Sequence, residues 1–271
     1  DASKVKSEAN FRALGRYVQS LNGRYITAED VNTSTKDMDY VHMETEHVTG
    51  LESKSGNPSP ITALGVYHGI RATLQQTFGN DDISKRTFAV QGAGQTGYFL
   101  IKLLVENKAK KIYFTEINQH HIERMKKECP QVEFVEPDKI YGLDVDVFSP
   151  CALGAILNDE TIPQFKAKII AGSANNALKD EDKHGMMIKE RGILYAPDFV
   201  INAGGLINVY HELIGYDRDR AIRDTEKIYD RLLEIFQISN EKNISTYEAA
   251  KVYAKNRIET MNNVHSNYIP R

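Results

Sequence analysis

The chain has 271 residues, about two domains at ~150 residues each and enough to bury a core without disulfides or structural metal. Hydrophobic residues make up 41%, charged residues 26%, and the net charge is -3. This composition excludes a disordered chain and gives no electrostatic case for nucleic acid or an anionic membrane. Cys129 and Cys151 are the only cysteines, too few for a disulfide framework or a four-cysteine zinc site. No apolar run approaches the ~18–20 residues of a bilayer span. Residues 1–10 carry no apolar signal-peptide core, so a reducing cytoplasm is the expected setting.

Taken in order, Phe11, Leu14, Val18 and Leu21 recur at helical spacing and predict an amphipathic helix over 7–21, broken at Asn22-Gly23. Tyr25-Ile26 predicts a short strand running to a loop at Val31, and 36–48 a second helix. Two prolines, a glycine and an Asn-Pro pair make 55–60 the predicted hinge. A helix over 60–78 follows. Strands are then predicted at 87–91, 111–115, 132–135, 145–149, 168–172 and 192–196, with helices at 97–106 and 118–128 between them. A charge-rich helical tail runs over 217–262. Phe88-Ala89-Val90 and Ile169-Ile170-Ala171 are continuous apolar runs, as suits parallel strands covered on both faces. The alternation predicts an α/β fold with a Rossmann-like, doubly wound parallel sheet.

Gly92-Ala93-Gly94-Gln95-Thr96-Gly97 is a G-x-G-x-x-G that follows a predicted strand and opens a predicted helix, the context that gives the pattern meaning. Gly92 would allow the tight turn, Gly94 the approach of a pyrophosphate, and Gly97 close helix–strand packing. Glu116, nineteen residues after Gly97, ends the second strand; a carboxylate there accepts from a ribose diol and repels a 2′-phosphate, favouring NAD over NADP. The alternative is a mere packing turn and a solvated strand end. Three later strand ends, 148–154, 171–176 and 198–205, are rich in small residues and amides that could line a nicotinamide.

Oxidation by a nicotinamide needs a group to take the substrate's proton. Asp30 ends an otherwise apolar stretch before the hinge, although on local sequence alone a surface or capping aspartate is the stronger reading. His120-His121 has no metal-ligand spacing with suitable partners, so no metal is expected. Cys151 is expected to be a small packed residue rather than a nucleophile.

The stretches 21–31, 55–60, 92–97, 150–154, 171–176 and 195–209 together resemble the Glu/Leu/Phe/Val dehydrogenases. The resemblance implies reversible, NAD-linked oxidative deamination of a branched-chain L-amino acid to its 2-oxo acid and ammonia. It also implies two domains with a closing cleft, and a homo-oligomer, commonly an octamer. It assigns Asp30 as the catalytic aspartate and Glu116 as the ribose ligand. Thr62, Cys151, Ala152, Ser173, Asn175 and Asn202 fall with Gly92–Gly97 in the cofactor site, and Ala28, Leu206 and Val209 in the substrate side-chain pocket.

Several positions depart from the family pattern: Glu116 for aspartate, Asn175 for aspartate, Leu206 for valine, and a shorter loop before Ser55. The family's two essential lysines are expected upstream of residue 1, and Lys4 and Lys6 do not match their motif. The expected domains are therefore a truncated α/β substrate domain at 1–58, rejoined by 239–271, and a dinucleotide domain at 59–238. Two alternatives stay open: a non-catalytic dinucleotide-binding or oligomerisation module, and a dehydrogenase for another amino acid.

Overall fold

The computed structural model describes residues 6–30 and 33–265; Lys4 and Val31 lie outside them. The chain divides into two compact units, residues 1–62 with 204–225, and residues 63–203 with 226–271.

In the first unit, α1 (Glu8–Ser20) starts at Ser7, whose side chain accepts from the Asn10 N–H. Helix α2 (Thr35–His42) starts with a capping box between Ser34 and Asp37, which satisfies two otherwise orphaned donors. The helices approach closely at Gly15, where a Cβ would stand 2.6 Å from the Val41 carbonyl oxygen. Met38, Val41, Val48 and Leu51 form a small core with Phe11 against it. Glu44 accepts from Arg12 and Arg16 at 2.7 and 3.0 Å. The first turn of α3 (Ser59–Phe78), all of α8 (Gly204–Leu213) and most of α9 (Arg218–Glu226) complete the unit. There is no strand at Tyr25-Ile26. The extended segment makes only a parallel bridge, Thr27 with Val48; α2 stops at His42 and not at 48, and residues 47–49 are paired with Thr27 instead.

The second unit holds a six-stranded, all-parallel sheet in the order β3-β2-β1-β4-β5-β6. The strands are β1 (Thr87–Gln91), β2 (Lys111–Thr115), β3 (Glu133–Phe134), β4 (Val147–Pro150), β5 (Ile169–Ile170) and β6 (Leu194–Tyr195). This is the doubly wound order, and it reverses between β1 and β4, where ligands sit beyond the strand carboxyl ends. Phe88, Ala89 and Val90 are fully buried because β1 lies centrally, paired on both sides. The unit's helices are the rest of α3, α4 (Gln95–Glu106), α5 (Gln119–Glu128), α6 (Glu181–Glu190), α7 (Asp198–Ile201), α10 (Ile228–Lys242) and α11 (Thr246–His265). Segment 198–205, one of the small-residue strand ends, holds α7 and the start of α8.

These units differ from the domain boundaries expected from sequence. Helix α11 belongs with the sheet: Ala249 and Ala250 pack on Ile235 with Val200 beside them, and the Thr246 hydroxyl donates to the Tyr195 carbonyl. It is 204–225, not 239–271, that returns to the first unit.

Candidate active site

The glycine turn in the second unit gives each glycine a separate task. Gly92 has φ +92°, and its N–H donates to the Thr115 carbonyl at 2.9 Å. A Cβ on it would meet Ala152 Cβ at 2.9 Å and the Cys151 carbonyl oxygen at 3.0 Å. A Cβ on Gly97 would stand 1.9 Å from the Gly92 carbonyl oxygen, so α4 packs on the turn only with glycine there. Gly94 faces open space, with nothing within 4 Å of a built Cβ, and among the described residues no side chain caps α4. Gln95 is exposed, Thr96 half-buried and Ala93 buried. An uncapped helix start beside an open glycine fits a phosphate group.

Glu116 stands at the end of β2 with both oxygens engaged. Oε2 accepts from the Ala93 N–H at 2.9 Å, and Oε1 from the Ile117 and Asn118 N–H groups at 2.8 and 3.0 Å. Burial acts to raise its pKa, but the bonds from Asn118, Ala93 and Ile117, with His121 nearby, outweigh this and hold it below the usual glutamate value. Glu116 is thus a fixed anion, and its remaining lone pairs can accept from a diol. Opposite it, Arg124 Nη2 donates to the Ala93 and Gly94 carbonyls at 3.0 and 3.2 Å, with its guanidinium 4.0 Å from the Tyr98 ring centroid. Arg124 escaped the sequence reading because its partners are main-chain atoms some thirty residues away.

The later strand ends gather beside the turn. Cys151 N–H donates to the Gln91 carbonyl at 2.7 Å. Burial pushes its thiol up, partly offset by hydrogen bonding with Ser173. A Cβ on Gly172 would lie 2.2 Å from the Pro150 carbonyl oxygen, so β4 and β5 emerge in close contact. Asn202 donates to the Ser173 carbonyl at 3.2 Å and to Asn175 Oδ1, bringing three predicted residues together. Asp198, unremarked in the sequence, is buried; burial holds its carboxyl above the usual aspartate value despite N–H bonds from Ala177 and Phe199.

In the first unit, Asp30 is exposed and Ala28 half-buried. The Asp30 carbonyl accepts from the Thr33 N–H and hydroxyl at 2.9 and 2.7 Å. Beside it Glu29 is pushed above its usual value by burial first, then by the charges of Asp30 and Asp37. Thr62 donates from its hydroxyl to the Pro58 carbonyl at 3.0 Å. On α8, Val209 is 8% exposed and Leu206 72% exposed. Among the described residues no group of three or more His, Cys, Asp or Glu is placed to hold a metal ion, and no helix is long and apolar enough to cross a membrane.

The sheet order and the glycine turn define the class: a Rossmann-type α/β protein whose glycine turn lies at the switch point. Residues 111–268 match the family model for Glutamate/Leucine/Phenylalanine/Valine dehydrogenase. The chain is 52% identical over 272 residues to a leucine dehydrogenase of Thermoactinomyces intermedius, spanning 99% of the chain and 74% of that protein. It is 40% identical over 277 residues to a phenylalanine dehydrogenase of Caldalkalibacillus thermarum, spanning 100% of the chain and 74% of that protein. The crystal structure of L-tryptophan dehydrogenase from Nostoc punctiforme superposes with a TM-score of 0.82 at 44% identity, covering 95% of this chain and 74% of that one. The chain belongs to the Glu/Leu/Phe/Val dehydrogenase family, and its class of activity is that of an amino-acid dehydrogenase, an oxidoreductase.

Proposed function

We propose that the protein oxidises a branched-chain L-amino acid (leucine, valine or isoleucine) to its 2-oxo acid and ammonia, using NAD. The observation that carries this reading is the glycine turn, open only at Gly94 and flanked by the fixed Glu116 anion, in a chain half identical to leucine dehydrogenases.

The amides of residues 94–97 would hold the diphosphate, and Glu116 would accept from the adenosine ribose hydroxyls and oppose a 2′-phosphate. Thr62, Cys151, Ala152, Ser173, Asn175 and Asn202 would line the nicotinamide side. NAD, when bound, supplies a two-electron acceptor. Asp30 takes the proton released from the substrate amine and returns one to the departing ammonia. Ala28, Leu206 and Val209 offer an apolar pocket without a cation, which suits an aliphatic side chain better than glutamate. Single methylenes there are worth only about 1–3 kcal/mol, so discrimination among the three amino acids is modest. We further propose a homo-oligomer, eight copies being the expected number, checked by light scattering.

The test is NADH formation by the protein carrying this sequence, with L-leucine, L-valine, L-isoleucine, L-phenylalanine, L-tryptophan and L-glutamate compared. Turnover of the aliphatic three above the rest is expected. Preference for an aromatic substrate overturns the substrate reading. NADH binding without any turnover supports the non-catalytic module instead.

A further inference from the structure

Glu212 is a buried carboxylate in an unfavourable place. It is 8% exposed and next to last in α8, where the helix dipole opposes a negative charge. Its Oε2 is buried with no hydrogen-bond partner, which costs stability. What offsets these costs is a clasp. Oε1 accepts from the Gly50 N–H at 3.0 Å, from the Ser55 N–H at 3.1 Å, and from the Ser55 hydroxyl. One oxygen thus holds both ends of the 50–55 loop to α8.

That loop leads back to Asp30. Gly50, at φ +79°, lies against Glu29, where a Cβ on it would make van der Waals contact with the Glu29 Cβ and N at 3.4 Å. Just before it, the Thr49 N–H donates to the Thr27 carbonyl at 2.9 Å, and the Thr27 N–H to the His47 carbonyl at 3.0 Å. Segment 27–29 is therefore laid along 47–50, and 50–55 is tied to α8, all inside the first unit. Helix α8 also carries Leu206 and Val209.

We propose that Glu212 is a positioning residue, holding the Asp30 segment in register with the helix that bears the substrate pocket. Resting as it does on the reading of Asp30 as the proton-transfer residue, it adds a residue that touches neither substrate nor cofactor yet sets where the acid stands. A carboxylate suits the task because it only accepts, and a charged oxygen bonds N–H and O–H donors more strongly than a neutral one.

The experiment compares E212A, E212Q and S55A in the full protein, by kinetics and by amide hydrogen exchange. E212A should lower kcat for L-leucine roughly 10- to 100-fold, the scale of a small misplacement of a reacting group, with KM for NAD changed less than about twofold. E212Q, which keeps an accepting oxygen, should recover most of that loss. S55A, which keeps the N–H donors and folds even where E212A does not, should show a smaller loss in the same direction. Exchange should quicken at 27–30 and 50–55 in E212A and S55A and stay unchanged at 87–97. Wild-type exchange at 27–30 in E212A and S55A overturns the proposal, as does wild-type kcat in both. If the unmutated protein oxidises no amino acid, the functional reading fails, and the exchange data alone then decide whether the clasp holds.

Discussion

At the scale of single residues, the glycines of one turn make opposite predictions. Gly97→Ala forces a methyl to within 1.9 Å of a main-chain oxygen, and neither α4 nor β1 can yield without repacking the sheet. It should cost about 3 kcal/mol in a denaturant melt, the upper range of overpacking. Gly94→Ala meets nothing within 4 Å, so it should melt like the parent while weakening NADH binding about tenfold or more, its methyl standing where a phosphate would approach. Equal effects of the two on stability would contradict this division of labour. Asp30→Asn should lower kcat by about 10²–10⁴, the usual worth of a general acid–base group, with NADH affinity unchanged by fluorescence titration. Glu116 carries a pH signature. Its pKa lies below the unfolded value, so the stability it confers is present above that unfolded value and is lost as pH falls through the lower, folded one. Glu116→Gln should therefore be less stable than the parent at neutral pH, by roughly 1 kcal/mol once the ~1.5–3 kcal/mol of hydrogen bonds to a charged group is discounted for partial exposure, and the gap should close in acid. A gap independent of pH would show that the carboxylate's charge is not what matters.

At the scale of elements, the pair Gly204-Gly205 sets how α8 meets the start of α3. A Cβ on Gly204 would lie 2.3 Å from the Ile61 carbonyl oxygen, and one on Gly205 2.5 Å from Thr62 Oγ1. The first contact is with rigid backbone and the second with a rotatable hydroxyl. Gly204→Ala should consequently lower the melting temperature more than Gly205→Ala, whereas Gly205→Ala should act through Thr62 and raise KM for NAD. The reverse ranking, read by calorimetry and steady-state kinetics, would contradict the contact geometry. Elements were also where sequence reading was strongest and weakest. Strands β1 and β2 were legible to the residue because their apolar runs are flanked by a turn glycine and by charge. Strands β3, β5 and β6 came out shorter, since apolar residues continue past the last paired position. Tyr25-Ile26 looked like a strand because β-branched and aromatic residues are good strand formers, but pairing needs a partner, and only Thr27 finds one.

At the scale of the whole molecule, the fold class is legible in the alternation of elements, and the geometry of the glycine turn in contiguous sequence: a strand, six residues and a helix. The residues that support the site were not. Arg124 and Glu212 act on main-chain atoms far away along the chain, and no local pattern marks such partners. The compact units differ from the expected domain boundaries for a related reason. The charged tail is amphipathic and carries no mark of which surface it covers; the packing of Ala249 and Ala250 on Ile235 and the Thr246 bond to Tyr195 assign it to the sheet-bearing unit. Central to the whole account is that the 92–97 turn and Glu116 form a site for NAD. Calorimetric titration of the protein with NADH and NADPH tests this most directly. The account predicts a saturable NADH isotherm and NADPH binding at least about tenfold weaker, because the Glu116 anion would oppose an added 2′-phosphate. Absence of NADH binding, or equal affinity for the two, would contradict it.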